Sequence, residues 1–113
     1  MRDLAPMITR QRLVIEGTCP KPINDAQIKD YLTKLSKVLK MTTIIEPVTH
    51  QSERYGWAGW IHWENSGAHF YAWDQPLLFF SVDIYTCKAF KDQIAVDFTR
   101  EYFEADQIES RSF

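Results

Sequence analysis

Only two cysteines occur in this chain, Cys19 and Cys87, and two thiols cannot build the disulfide framework on which small secreted domains rest. A reduced, cytoplasmic setting is therefore expected. Lys and Arg never form a run and the formal charge is only -2, which leaves no electrostatic reason to expect nucleic acid as a partner. The opening residues, Met1 to Pro6, have no long apolar stretch behind them, so neither a signal peptide nor a membrane-crossing helix is expected. Linkers and low-complexity tracts are also missing. A chain of 113 residues is too short for two independent cores, and a single domain over residues 1–113 is expected.

What the chain has in quantity is aromatic side chains: four Trp, five Tyr and seven Phe in a composition that is 45% hydrophobic. A small domain cannot hide so many rings, which places some at a subunit interface or a ligand pocket. Trp57 and Trp63 share one face of a strand by parity and Trp60 lies on the other. A strand covered on both faces points to a partner sheet, and hence to a homodimer.

Residues 10–16 read as a strand, ended by the turn chemistry of Gly17 to Pro22. Asn24 or Asp25 suits an N-cap, with Gln27 where a capping-box partner belongs. Ile28, Leu32, Leu35 and Leu39 then recur at helical spacing, and Lys37 and Lys40 complement the helix dipole. Thr42 to Val48 is β-branched and predicts a strand ending near Pro47, with Thr49 to Tyr55 as a loop. Trp57 to Trp63 and Gly67 to Trp73 predict two strands joined through Glu64-Asn65-Ser66. After the turn at Asp74-Gln75-Pro76, Leu77 to Tyr85 predicts an apolar strand. A second helix carries Phe90, Ile94, Phe98 and Tyr102, and Ala105 to Arg111 closes the chain as a short strand. The order β-α-β-β-β-β-α-β predicts an α+β two-layer sandwich, a mainly antiparallel sheet with two helices on one face. Each half runs strand, helix, strand with extra strands between, which hints at a duplicated unit.

Several segments together resemble the bacterial S-adenosylmethionine decarboxylase proenzymes. These are Gly17-Thr18-Cys19 closing the first strand, Asn24-Asp25 opening the first helix, Asp83-Ile84-Tyr85-Thr86-Cys87 before the second, and Arg100 to Phe103 with Ile108 to Arg111 at the end. The resemblance spans residues 10 to 111 and is most specific over Val82 to Cys87. It implies that family's fold, a place in polyamine (spermidine) biosynthesis, and a chain that cuts itself before a serine. That serine becomes a pyruvoyl group, which forms a Schiff base with the substrate amine and draws electrons as CO2 leaves. With Trp73 as anchor the serine maps onto Ser66, and the cysteine that protonates the carbanion maps onto Cys87.

The departures cluster around that serine. Asn65 stands for the preceding glutamate, Gly67 for the following histidine, and Tyr71 for the histidine that assists cutting. A phenol is a poor base at neutral pH. His69, two residues earlier and on the same strand face, is the nearby substitute. On the residues alone Ser66 reads first as a plain turn between strands, and Cys87 as a buried strand cysteine. Tyr85 and Phe90 read as core. His50, His62 and His69 fit no metal-ligand spacing, and no metal is expected. The four Trp side chains suit adenine stacking and sulfonium attraction, or packing and interface.

Three classes of function remain. One is an active pyruvoyl-dependent carboxy-lyase cut at Asn65/Ser66. The second is an uncut relative that binds S-adenosylmethionine or a related ligand, with no pyruvoyl cofactor. The third is a ligand-free oligomer. The second is the expectation.

Overall fold

A computed structural model describes residues 1–113. Its elements are β1 (Gln11–Thr18), α1 (Asp25–Val38), β2 (Thr43–Ser52), β3 (Gly56–Trp63), β4 (Ser66–Trp73), β5 (Phe79–Thr86), α2 (Asp92–Phe103) and β6 (Gln107–Ser112). The strands form one antiparallel sheet in the order β2-β3-β4-β5-β1-β6. Both helices lie on one face of it, α1 over β2 and β3, α2 over β1 and β6. This is the expected α+β sandwich. The halves are not equivalent, however: the α1 crossover passes β5, β4 and β3, whereas the α2 crossover passes only β1.

Local chemistry explains why α1 starts and how it docks. Asn24 Oδ1 accepts from the Gln27 amide while Gln27 Oε1 accepts from the Asn24 amide, a complete capping box. Ile28, Tyr31, Leu32 and Leu35 are then fully buried against the sheet. Gly59 of β3 lets the helix approach this closely, since a Cβ there would stand 2.6 Å from Ile28 Cγ2.

Two buried polar contacts orient the layers. Trp63 Nε1 donates to Ser36 Oγ at 2.6 Å, and that hydroxyl donates onward to the Leu32 carbonyl at 2.7 Å. Tyr31 and Thr99 share a 2.7 Å hydrogen bond that ties α1 to α2, and burial pushes the Tyr31 phenol well above its ordinary range. No buried side-chain polar atom is left without a partner.

Helix α2 has no side-chain N-cap of its own. Gln11 of β1 instead anchors the residue before the N-cap and the side chain of the first helical residue, fixing where the helix begins without capping its free N–H groups. Its amide donates to the Phe90 carbonyl at 2.9 Å and to Asp92 Oδ1 at 2.6 Å, and accepts from the Phe90 amide at 2.9 Å.

Three expectations are corrected. Strand β2 continues through Pro47 to Ser52; β2 is an edge strand with a bulge between Ile45 and Val48, so a missing N–H there costs no ladder bond. In α2 the buried stripe is Ala95, Val96, Thr99 and Phe103, with Phe98 and Tyr102 at its flank and Ile94 exposed. Tyr85 is not core: it alternates with the buried Ile84 and Thr86 and is 42% exposed on the opposite face.

That opposite face has no covering layer within the chain. Register places Ile45, His62, Gly67, Tyr85 and Arg12 in one row across it. Val48, Trp60, His69, Asp83, Val14 and Arg111 make the next row, and His50, Ala58, Tyr71, Ser81, Glu16 and Glu109 the one after. Trp63 is fully buried beneath α1 whereas Trp60 is 37% exposed, so the chain itself covers only one side of β3.

Replacing Trp63 with Phe removes the donor to Ser36 and leaves a gap under α1. The expected loss is about 1–3 kcal/mol of unfolding free energy by urea denaturation. A change below about 0.5 kcal/mol, the ordinary range for a surface site, would show that the contact does not hold α1 on the sheet.

Candidate functional site

The β3–β4 hairpin closes through two residues, Glu64 and Asn65, with Trp63 paired to Ser66. Ser66 has φ +126°, a region that non-glycine residues seldom occupy. Its partner on β5 is Thr86, which brings Cys87, one residue further on, against the turn. The Cys87 amide donates to the Asn65 carbonyl at 2.8 Å. The Ser66 hydroxyl and the Cys87 thiol are 3.6 Å apart. Two of the expected site residues, 21 positions apart in sequence, thus meet at the ends of adjacent strands.

The segment after β5 is held at several points. Thr86 Oγ1 donates to the Lys88 carbonyl at 2.6 Å, and Lys88 Nζ donates to the Lys40 carbonyl at 2.7 Å. The Gln11 amide fixes Phe90 beyond them. Cys87, for which burial is the favoured reading of the residues alone, is instead exposed, because it stands one residue past the end of β5. Cys19 is the buried thiol, pushed up by desolvation and then by the charge of Asp106.

His69 and Tyr71 both project from β4 onto the open face, as parity required, and their rings stack at 4.7 Å. Neither reaches the Ser66 hydroxyl: its hydrogen-bond partner is Cys87. His69 does share a cleft with Ser66, a concavity of about 560 Å³ lined also by Trp60, His62, Asp83 and Tyr85. The cleft lies over Gly67, where a side chain is missing from the middle of its row. A Cβ at Gly67 would overlap the Ile61 carbonyl oxygen, so the hairpin is closed too tightly here for any larger residue.

Arg12, not singled out from the sequence, grips Asp83 with two bonds of 3.0 and 2.6 Å across the β1–β5 ladder. The signal that finds it is strand register, which no single sequence displays. Among His, Cys, Asp and Glu no three side chains gather closely enough to hold a metal ion.

Comparison with protein families matches residues 14–113 to S-adenosylmethionine decarboxylase. The chain belongs to that family. Among solved structures it resembles the adenosylmethionine decarboxylase from Aquifex aeolicus VF5, with a TM-score of 0.78 and 18% sequence identity. The match covers 94% of this chain and 89% of that one, and at this identity it establishes the fold. Comparison with curated proteins gave no match. No helix is long and apolar enough to cross a membrane.

Gly67 and Asn65 predict opposite outcomes. Gly67→His, which introduces the residue type that the resemblance implies at this position, forces the hairpin open and should cost at least about 1–3 kcal/mol in urea denaturation. Asn65→Glu, in the turn itself, should stay within about 0.5 kcal/mol of the parent. Equal tolerance of both would show that the hairpin is not closed at Gly67.

Proposed function

We propose that this member of the S-adenosylmethionine decarboxylase family keeps its chain uncut at Asn65–Ser66 and lacks the pyruvoyl-dependent reaction. It binds S-adenosylmethionine or a related ligand as a homodimer. The observation that carries this reading is the surroundings of the Ser66 hydroxyl, which hydrogen-bonds a thiol and no imidazole. Active members of the family depend on a pyruvoyl group made from such a serine, and making it requires a group that takes up a proton. His62 and His69 line the same cleft as Ser66, but neither hydrogen-bonds its hydroxyl. Tyr71 is a phenol turned to the open face and stacked on His69, and Gly67 has no side chain.

The ligand reading is supported by the cleft. Its volume of about 560 Å³ falls in the range of small-molecule sites. Trp60 and Tyr85 offer aromatic faces for a planar base or a sulfonium.

The homodimer reading is supported by the open sheet face. Six strands at about 4.8 Å spacing and six to ten residues at about 3.3 Å make roughly 750 Å² of sheet face per copy. Two such faces bury about 1,500 Å², within the standard-size interface range. Ile45, Val48 and Tyr71, outside the cleft, are exposed large hydrophobics on that face, and two sheets packed there would cover them.

A second reading, an active pyruvoyl-dependent decarboxylase in polyamine biosynthesis, has one observation in its favour. Ser66 and Cys87 remain together, and the Cys87 amide sits on the carbonyl at the expected cutting point.

Titration calorimetry with S-adenosylmethionine should show binding, and labelled S-adenosylmethionine should release no CO2 with the purified protein. Release of CO2 that disappears in Ser66→Ala would establish the second reading instead. Absence of binding together with absence of CO2 would leave only the ligand-free oligomer.

A further inference from the structure

The three histidines of the chain, scattered in sequence, converge on the open face. His50 on β2 pairs with Ala58, His62 on β3 pairs with Ile45 and Gly67, and His69 on β4 pairs with Trp60 and Asp83. All three are exposed, and each stands among apolar or aromatic neighbours. They form no metal cluster. We propose that they make this face a pH-sensitive self-association surface, which holds two copies together near neutral pH and releases them in mildly acidic solution. The proposal rests on the reading of the open face as the dimer interface.

Histidine is the side chain whose ordinary titration falls between pH 5 and 8. A neutral imidazole can be covered by a second sheet at small cost; an imidazolium needs a carboxylate. The carboxylate beside His69 is Asp83, and both its oxygens are already taken by Arg12. Glu16 and Glu109 face each other on β1 and β6, with Arg111 in the neighbouring row, on the far side of the face from β2 and β3. Glu46 lies in the bulge of the edge strand, Glu53 in the turn after β2, and Glu64 in the turn after β3, two residues beyond His62. Tyr71 and Tyr85 also face this side of the sheet. A charge added at His69 therefore finds the carboxylate in its own row already engaged by Arg12, and His50 has only Ala58 opposite it on β3.

The test is sedimentation of the full chain at constant ionic strength between pH 7.5 and 5.5, with circular dichroism at each step. The dimer dissociation constant should rise at least about tenfold on acidification while the dichroism spectrum stays unchanged. The variant H50Q/H62Q/H69Q should remain dimeric throughout. A wild-type dimer that is equally tight or tighter at pH 5.5, or one that dissociates only as the spectrum collapses, overturns the proposal. A monomer already at pH 7.5 overturns the dimer reading beneath it. Should the triple variant not fold, the wild-type titration decides alone.

Discussion

Both helices dock on the same side of the sheet, and this one-sided cover shapes the rest of the molecule. It is enforced by α1, whose stripe of Ile28, Tyr31, Leu32 and Leu35 can be buried only against the strand residues that point its way. Trp63, bonded to Ser36, and Gly59, which admits Ile28, fix where it sits. Every strand residue of the other parity is then left on a face without its own cover. A chain of alternating strands thus carries one face built for internal packing and a second, aromatic face that nothing in the chain covers.

The Ser66–Cys87 pair follows from the same frame. Antiparallel register between β4 and β5 sets Ser66 opposite Thr86, and the tight Glu64-Asn65 turn then meets the residue after Thr86. None of this depends on the groups that would act on the serine. Register and turn length are set by the backbone pairing of β3, β4 and β5, and do not require a histidine at position 67 or 71. Gly67 goes further than a loss. The hairpin has closed into the space a side chain would need, and the cleft on the open face lies above it.

Much of this was legible in the sequence. The element order, the Asn24–Gln27 capping box and the α1 stripe follow from local rules, because caps and periodicity are properties of a few adjacent residues. The family segments led to Ser66 and Cys87, and parity led to the shared face of His69 and Tyr71. What was not legible depends on partners far along the chain. Pro47 reads as a strand end until β2 is known to be an edge. Tyr85 reads as core until Ile84 and Thr86 are seen to take the helix side. Cys87 could not be placed without knowing that β5 stops at Thr86, nor Arg12 without the β1–β5 register.

The claim on which the account turns is that Ser66 remains an ordinary serine within a continuous chain. Intact-mass spectrometry of the purified full-length protein tests it most directly. The account predicts one species with the mass of residues 1–113. Two fragments meeting between Asn65 and Ser66, the second beginning with a pyruvoyl group, would contradict it.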